Sequence, residues 1–312
     1  MLSNIKCTKC GINKPVYKRI YSGEQLCSSC FTLSILKKVK RTISRFKMLE
    51  HGDKVAIAVS GGKDSLTLLT ILDKLCRKHA SQLYAISVDE GIEGYRDEAL
   101  KYVNQMSNKL NIPNFTISYR ELYGFTLDEA LRWRKNLNIT ACALCGVLRR
   151  RALDIAAERV KASVIATAHN LDDYIQTFII NLLSGDLERL GWLDPYNEPQ
   201  SNFTIRRVKP LIELYEQEIA LYAYLKDIPF QEMRCPYRDE GIRSKIRNFL
   251  NDLEKEHAGI KYIIFKSALN ISHQFRVLHK KNSIKRCINC GYPSSSQICS
   301  VCQMLELIKR NR

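Results

Sequence analysis

The residues with the clearest chemical potential lie in one short stretch, from Ser60 to Ser65, which reads SGGKDS. An apolar run that ends at Val59 precedes this stretch and an apolar helical pattern follows it, which predicts a strand, a tight turn and a helix. Two adjacent glycines leave backbone N–H groups uncovered at the N-terminus of that helix, and such a terminus binds anions. Lys63 adds a cation, and Asp64 could hold a magnesium ion that bridges phosphate oxygens. The stretch therefore predicts a phosphate-binding site.

This turn differs from the Walker A phosphate loop, because the spacing GxxxxGK[ST] is absent. It resembles instead the pyrophosphate loop of the N-type ATP pyrophosphatases, enzymes that adenylate a carbonyl oxygen and release pyrophosphate. A plain diglycine turn without a ligand is the alternative. Under the first interpretation, ATP contacts residues from the end of the strand to the start of the helix: Ala58, Val59, Ser60, Gly61, Gly62, Lys63, Asp64 and Ser65.

Eight of the twelve cysteines fall in two sets of paired CxxC motifs, one near each end of the chain. No export signal is visible at residues 1–13, so disulfides are not expected. Four thiolates on two knuckle turns suit a tetrahedral zinc ion with no open coordination position. A thioredoxin-like redox pair would need one motif in a βαβ context, which does not explain two pairs. Each set is predicted to bind one structural zinc ion: Cys7, Cys10, Cys27 and Cys30, and Cys287, Cys290, Cys299 and Cys302.

Three other cysteines lie in the interior of the sequence. Cys142 and Cys145 form a CxxC before a helical pattern that contains Arg149, and Cys235 follows far downstream in RCPY. Thiols at a helix N-terminus and near guanidinium groups have lowered pKa values, so these thiols are predicted to be reactive or metal-binding. Three thiolates cannot complete a structural zinc site, but they could hold three irons of a 4Fe-4S cluster and leave the fourth iron open. The twelfth cysteine, Cys76, is predicted to be a buried small hydrophobe.

These groups need a scaffold, and from residue 54 onward predicted strands and helices alternate. This order favours an α/β fold with a parallel sheet and helices on both faces. Open parallel sheets bind ligands at the carboxyl ends of their strands. Two further predicted strands, at 83–88 and 163–168, lead to Asp89 and Ala168, and both residues are predicted to contact the nucleotide.

Two adjacent carboxylates, Asp172 and Asp173, follow the strand predicted at 163–168 and open an amphipathic helix. Carboxylates at this point can simply cap the N-terminus of the helix. They also fall at the same edge of the sheet as the phosphate turn. Asp173 is therefore a candidate active-site residue as well as a candidate cap.

Composition limits the class of protein and its partners. The chain has 312 residues, a hydrophobic fraction of 45% and a formal net charge of +17, which predicts attraction to a polyanion, with nucleic acid as the leading candidate. A merely soluble basic protein is the alternative. No apolar run approaches the roughly 18 residues of a membrane span, so no membrane association is expected and a cytoplasmic location is predicted.

The predicted organisation has five parts. A zinc finger (1–32) leads through a basic linker helix (33–50) into the catalytic nucleotide-binding domain (51–235). A basic helical region (236–282) is predicted to bind nucleic acid, and a second finger with a basic tail follows (283–312). The charged face of the linker helix could contact phosphates or be merely solvated: Lys37, Lys38, Lys40, Arg41, Arg45 and Lys47.

Six motifs together carry a family resemblance: SGGKDS, DEGI, CALCG followed by arginines, AHNLDD, RCPYRDEGIRSKIRNFLNDLE and the double-CxxC fingers. In this order they resemble the tRNA 2-thiouridine synthetases of the TtuA and cytosolic wobble-uridine thiolase group, over nearly the whole chain. The resemblance implies a PP-loop fold of the adenine nucleotide alpha hydrolase-like type. It also implies a tRNA-uridine 2-sulfurtransferase, which replaces the uridine C2 oxygen by sulfur at the expense of ATP. One departure is Tyr174, where the family often has glutamate.

The resemblance further implies cofactors, partners and residue roles. ATP, magnesium and an oxygen-sensitive 4Fe-4S cluster on the three internal cysteines are expected, and the sulfur comes from a ubiquitin-like carrier that ends in a thiocarboxylate or from inorganic sulfide. An everted tRNA uridine is adenylated on its C2 oxygen, which sulfide then replaces. Arg149 would stabilise phosphate charge, and Asp173 would orient the base or shuttle a proton. The predicted catalytic set is Lys63, Asp64, Cys142, Cys145, Arg149, Asp173 and Cys235.

Three alternatives remain open. An amine could attack the adenylated base, as in lysidine formation, but this leaves the internal cysteines unexplained. Thiolation could also proceed without a cluster, through a persulfide on one internal cysteine and a disulfide with another. A non-enzymatic zinc-finger module would explain the charge and the fingers but not SGGKDS. The fingers could also cross to a second copy in a homodimer, and the sequence does not specify which tRNA uridine is modified.

Overall fold

The computed structural model describes residues 5–77, 80–134, 139–196, 205–237, 241–278 and 285–311. The described strands, in chain order, are β1 (Tyr17–Lys18), β2 (Gln25–Leu26), β3 (Lys54–Ala58), β4 (Gln82–Asp89), β5 (Asn114–Ser118), β6 (Val164–Ala166), β7 (Arg206–Val208), β8 (Lys285–Arg286) and β9 (Pro293–Ser294). The described helices are α1 (Ser28–Arg45), α2 (Lys63–Cys76), α3 (Arg96–Leu110), α4 (Tyr119–Tyr123), α5 (Leu127–Trp133), α6 (Ala141–Arg159), α7 (Leu171–Leu183), α8 (Leu187–Gly191), α9 (Glu216–Leu225), α10 (Arg243–Glu256), α11 (Ile260–Leu278) and α12 (Ser300–Asn311).

A five-stranded parallel sheet with the order β5-β4-β3-β6-β7 forms the centre of the fold. The central strand β3 is apolar and its residues Val55, Ala56 and Ile57 are fully buried, as expected of a strand covered on both faces. The predicted α/β class with a parallel sheet is therefore confirmed. Strand β7 was not predicted, because it is a three-residue edge strand in the basic sequence RRV, which carries no apolar run.

The two faces of the sheet build two cores, and each core includes one cysteine finger. Val55 and Ile57 pack in the same core as Phe31, at the end of the N-terminal finger. Ala56 points to the opposite face, whose core includes Val301 beside the C-terminal finger. Among the described residues, each finger therefore packs into a core that it shares with the sheet. None of the described helices is long and apolar enough to cross a bilayer.

Helix α1 differs from the predicted linker helix in its start and in one charged residue. It begins at Ser28, inside the N-terminal finger, and not at residue 33. Lys38 is less accessible than the rest of the predicted face, because its Nζ lies 3.5 Å from the buried Glu218 carboxylate and 4.6 Å from the centre of the Tyr262 ring. Burial lowers the pKa of Lys38 to about 8. The other predicted members of this face are exposed: Lys37, Lys40, Arg41, Arg45 and Lys47.

Candidate active site at the carboxyl edge of the sheet

The phosphate turn joins the end of β3 to the start of α2. Gly61 adopts a φ of +86°, and a Cβ at this position would lie 2.5 Å from the carbonyl oxygen of Ala99, so only glycine fits. Gly62 is the N-cap of α2 with a φ of −82°, which other residues can also adopt, and it leaves the amides of this 14-residue helix without a side-chain cap. Gly61 is thus needed for the turn, whereas Gly62 keeps the helix N-terminus open to an anion.

Hydroxyl groups within the turn hold its main chain. Ser65 Oγ accepts a hydrogen bond from Ser60 N at 3.1 Å and donates one to Gly62 O at 2.9 Å. Ser60 Oγ lies 3.1 Å from Ser65 Oγ and 3.4 Å from Gly62 N. The serines at both ends of the motif therefore shape the turn around its glycines.

The other predicted nucleotide contacts lie at the carboxyl ends of adjacent strands. Ala58 ends β3, and Val59 extends the pairing because its N–H donates to Ile86 O at 2.9 Å. Asp89 ends β4, and its Oδ1 accepts a hydrogen bond from Gly91 N at 2.9 Å. Ala168 follows the end of β6. The structure brings these residues to the same edge of the sheet as the phosphate turn.

Lys63 and three carboxylates form a compact charged group in the turn. Lys63 Nζ lies 3.2 Å from Asp64 Oδ2 and 2.8 Å from Glu216 Oε1 at the start of α9. Burial acts to lower the pKa of Lys63, but the carboxylates of Asp64 and Glu216 outweigh it and raise this pKa. Burial raises the pKa of Asp64 to about 6; Lys63 opposes this shift, and the charges of Asp173 and Glu216 add to it.

One oxygen of this group fits a divalent cation. Asp64 Oδ1 is buried and has no hydrogen-bond partner among the described residues. Buried polar atoms are normally satisfied, so an orphaned carboxylate oxygen calls for a ligand. Carboxylate oxygens together with phosphate oxygens are the usual ligands of magnesium. Asp64 therefore suits the metal-binding role that the sequence predicted.

The adjacent aspartates at the start of α7 have different environments. Asp172 is 6% exposed and accepts hydrogen bonds from Lys261 Nζ at 2.5 Å and from Glu216 N at 2.8 Å, which ties α7 to α11 and α9. Asp173 forms a capping box with Asn170, with N···O distances of 3.2 and 3.0 Å. Asp173 is therefore a helix cap, and it also faces the site, because its charge acts on Asp64.

His169 and Lys209 lie beside the start of α7: His169 precedes the N-cap residue Asn170, and Lys209 Nζ lies 6.0 Å from the centre of the Tyr174 ring. His169 is exposed and Lys209 is half-buried, and nearby protein atoms partly desolvate both groups. This desolvation lowers the pKa of His169 to about 4 and that of Lys209 to about 8; Asp173 opposes both shifts and Arg207 adds to them. A neutral imidazole and a weakly basic amine therefore lie near Asp173 at the start of α7.

A chain of four contacts connects the phosphate turn to an internal cysteine. Arg96 Nη1 donates to Ser60 O at 2.7 Å, and Arg96 Nε lies 3.0 Å from Glu90 Oε2. Glu90 Oε1 lies 2.8 Å from Arg149 Nε, and Arg149 Nη2 donates to Cys145 Sγ at 3.1 Å. Glu90 raises the pKa of Arg149 well above its ordinary value. The turn and this thiol therefore lie at the same edge of the sheet, with one buried carboxylate between two guanidinium groups.

The three internal cysteines gather around this chain without forming a compact group. Cys142 Sγ lies 3.5 Å from the carbonyl oxygen of Tyr237, two residues after Cys235, and the charges of Arg149 and Cys142 both act on Cys235. Gln231 N donates to Gly61 O at 3.0 Å, so the segment that leads to Cys235 lies against the phosphate turn. The three sulfurs do not all lie within 4.8 Å of one another, unlike those of the terminal clusters.

The predicted lowering of the internal thiol pKa values is wrong for two of the three cysteines. Burial raises the pKa of Cys145, which is 7% exposed, although Arg149 opposes the shift. Burial also raises the pKa of Cys235. The sequence showed the nearby guanidinium groups but not the depth of the thiols, and desolvation disfavours a thiolate.

Both terminal CxxC sets form compact clusters of four thiols. Sulfur pairs lie 3.9 Å apart in the first cluster (Cys10 and Cys27) and 3.8 and 3.7 Å apart in the second (Cys287 with Cys302, Cys290 with Cys299). A tetrahedral metal with bonds of about 2.3 Å places its sulfur ligands about 3.8 Å apart. Burial acts to raise the pKa values of Cys7 and Cys287, but backbone N–H groups outweigh it and lower them to about 6. Both clusters therefore fit a tetrahedral metal ion.

Sequence analysis missed several residues of this edge. Glu90 stands in the DEGI motif, but nothing in the pattern distinguished a buried bridging carboxylate from an exposed one. Arg96 and Glu216 come from helices without a motif, and Lys209 follows the unpredicted strand β7. Residues 238–240 of the RCPYRDEG motif lie outside the described residues.

This edge, with its diglycine turn on a parallel sheet, defines a PP-loop nucleotide-binding domain, and the family model described as PP-loop domain matches residues 34–254. The chain belongs to the PP-loop family of tRNA 2-thiolation proteins. Two curated relatives, both named cytoplasmic tRNA 2-thiolation protein 1, are 38% identical: the Dictyostelium discoideum protein over 96% of this chain and 82% of its own, and the Drosophila yakuba protein over 98% and 89%. These names agree with the predicted cytoplasmic location.

A solved structure is similar over the full length of the chain. The U34-tRNA thiolase NcsA from Methanococcus maripaludis, described with its [4Fe-4S] cluster, has a TM-score of 0.84 and 30% identity, and the match covers 98% of this chain and 97% of that one. The predicted family, the PP-loop fold and the sulfurtransferase class are thereby confirmed.

Proposed function

We propose that the protein thiolates a tRNA uridine by adenylating its C2 oxygen with ATP and replacing that oxygen by sulfur. The observation that carries the proposal is the contact chain from Ser60 to Cys145, because it joins a phosphate turn to a thiol on one edge of the sheet. The solved relative is a U34-tRNA thiolase, which favours the wobble uridine as the target. Release of pyrophosphate and then AMP accounts for the ATP consumed.

The residues of the turn hold the triphosphate. Amides at the start of α2 bind phosphate oxygens, and Lys63 exchanges its carboxylate partners for phosphate charge. Asp64 holds magnesium through its unpartnered oxygen. Asp173 orients the base or accepts a proton, since its charge acts on both Asp64 and His169.

The internal cysteines serve the sulfur-transfer half of the reaction. A 4Fe-4S cluster held by Cys142, Cys145 and Cys235 would supply an open iron that carries the transferring sulfur. Arg149 balances negative charge at Cys145 from 3.1 Å, and Glu90 holds Arg149 in place. The three thiols do not close into a zinc-sized cluster, so a metal group held by all three would have to be larger than one ion. The solved relative carries a [4Fe-4S] cluster, which supports the same assignment here.

Further cofactors and partners complete the proposal. Each terminal cluster binds one structural zinc ion, consistent with its sulfur spacing. The sulfur donor is a ubiquitin-like carrier with a C-terminal thiocarboxylate or inorganic sulfide, and the protein works as a monomer or as a homodimer joined through its fingers. Metal analysis of pure protein should find two zinc ions per chain.

The decisive test compares the wild type with Asp64→Ala and Cys145→Ala in anaerobic thiolation of unmodified tRNA. Mass spectrometry of the tRNA nucleosides should show 2-thiouridine with the wild type and none with either variant, while both variants still bind tRNA. Normal thiolation by either variant would refute its role. A brown wild-type protein with iron and sulfide supports the cluster, whereas a colourless active protein supports a cysteine persulfide. A protein that binds tRNA but never ATP would be a non-enzymatic binding module.

A further inference from the structure

A cavity of about 570 Å³ lies between the C-terminal finger and helices α6, α7 and α8. This volume is within the range of ligand sites. We call it the finger cleft. Its lining includes four arginines, one carboxylate and one tryptophan: Arg150, Arg151, Arg189, Arg207, Asp154 and Trp192.

The charge of the finger cleft is strongly positive. Asp154 pairs with Arg207 at 2.5 Å and Asp186 pairs with Arg189 at 3.1 Å, so two guanidinium groups are balanced, while Arg150 and Arg151 have no carboxylate partner among the described residues. Arg151 packs over the Tyr292 ring at 3.3 Å and donates to Cys299 Sγ at 3.5 Å, which attaches the finger to α6. Burial lowers the pKa of Arg150, and the nearby charges of Arg207 and Arg189 lower it further. Guanidinium groups that repel one another in this way form a site for a polyanion.

Trp192 gives the finger cleft an aromatic surface. Its side chain is 45% exposed, whereas the next residue, Leu193, is 7% exposed and anchors the segment in the core. Trp192 N also donates to Glu188 O at 3.2 Å, so the backbone that carries the ring is held by α8. An accessible aromatic ring beside arginines is the combination that binds single-stranded RNA, since bases stack on the ring and phosphates pair with guanidinium groups.

The finger cleft leads to the candidate active site. Arg207 and Thr177 line the cleft, and Thr177 Oγ1 donates a hydrogen bond to the carbonyl oxygen of the candidate active-site residue Asp173 at 2.8 Å. The same Oγ1 accepts a hydrogen bond from Arg243 Nη2 at 3.0 Å. A strand bound between the finger and α6 would therefore continue toward the phosphate turn.

We propose that the finger cleft binds the single-stranded nucleotides that flank the target uridine, with one base stacked on Trp192 and phosphates on Arg150 and Arg189. The proposal rests on the proposed function, because it names the surface that holds the tRNA substrate. It also makes the C-terminal finger a wall of the substrate site rather than a purely structural module.

Fluorescence of the full-length protein tests this assignment. The chain has two tryptophans, so Trp133→Phe leaves Trp192 as the reporter. Oligouridylate and an unmodified tRNA transcript should both quench it. In the otherwise native chain, Trp192→Ala should weaken tRNA binding in a filter assay by roughly 5- to 150-fold, the loss of one stacked base, whereas Trp192→Phe should retain most of the affinity. Arg189→Ala should reduce the salt dependence of binding by about one phosphate contact, and Arg77→Ala, at the far end of α2, should not.

The outcomes separate this proposal from the function on which it rests. If Trp192→Ala binds tRNA as tightly as the wild type and thiolates it with an unchanged KM, the finger cleft is refuted and the function stands. If RNA quenches Trp192 but the wild type forms no 2-thiouridine, the function fails and the surface stands. Quenching by a partner protein but not by either RNA would also overturn the assignment.

Discussion

Replacing Glu90 by glutamine tests the contact chain between the phosphate turn and Cys145. The side chains of Glu90 and Arg96 are 3% and 5% exposed, so their ion pair is buried, whereas Arg149, the other partner of Glu90, is 45% exposed. Removing one partner of a buried pair leaves the other charge uncompensated and costs about 3–5 kcal/mol. Arg96 retains its hydrogen bond to Ser60 O, so we expect the lower end of this range, about 3 kcal/mol.

Urea unfolding measures this cost. Glu90→Gln should lower the midpoint without a change in the slope, because the glutamine keeps the shape of the side chain. Glu121→Gln is the matched control: it removes the pair with Arg159, in which both side chains are nearly half exposed, and should cost under about 1 kcal/mol. Equal losses of unfolding free energy in the two variants would refute the claim that the buried charge of Glu90 stabilises this chain of contacts.

The same variant has a second readout, which a merely structural role would not move. Without Glu90, Arg149 loses the partner that holds it 3.1 Å from Cys145. Thiolation per folded molecule should therefore fall in Glu90→Gln at temperatures where the protein is fully folded, with little change in the KM for ATP. Unchanged turnover in the folded variant would leave Glu90 with a purely structural role.

Two further predictions concern the phosphate turn. The folded-state pKa of Asp64, about 6, lies above its ordinary value of 3.8, so the ligand-free protein should lose stability as the pH rises through this interval. Asp64→Asn should remove this loss, raise the free energy of unfolding by up to about 3 kcal/mol at pH 7 and abolish binding of magnesium ATP. If the variant unfolds with the pH dependence of the wild type, this prediction is contradicted. Gly61→Ala should abolish ATP binding in calorimetry and destabilise the protein by about 1–3 kcal/mol or more, because the new Cβ would lie 2.5 Å from Ala99 O. Gly62→Ala should fold normally. Equal stability of the two variants would contradict the steric argument.

The fold and the position of the site could be predicted where local pattern and tertiary context agree. Strand β3 is an apolar run followed at once by a diglycine turn and a helix, so its three signals identify one motif. The paired CxxC spacing predicted both clusters of four thiols, because four thiols on two turns have few uses other than binding a metal ion. Residues at the ends of parallel strands, such as Asp89 and Ala168, could be placed at one edge by topology alone.

The remaining features depend on contacts between distant parts of the chain. Lys38 belongs to a basic helical pattern, yet it is buried because Tyr21 and Tyr262 close over it from the finger and from α11. Glu216 reaches Lys63 from 153 residues away, and no local signal marks it. The thiol pKa of Cys145 depends on burial, which competes with the guanidinium group that the sequence showed. Sequence patterns therefore identified the reactive groups but not the charges that tune them.

These tuning charges explain why the edge is prepared for a ligand. Lys63 forms ion pairs with both Asp64 and Glu216, and the charge of a third carboxylate, Asp173, acts on Asp64. Burial raises the pKa of Asp64, repulsion from Asp173 and Glu216 adds to this shift, and Asp64 Oδ1 has no hydrogen-bond partner among the described residues. Magnesium would neutralise the carboxylates and the triphosphate would pair with Lys63, so nucleotide binding would remove an electrostatic repulsion that destabilises the folded chain. The turn is therefore less stable without the nucleotide, and the repulsion that binding removes adds to the affinity for the nucleotide.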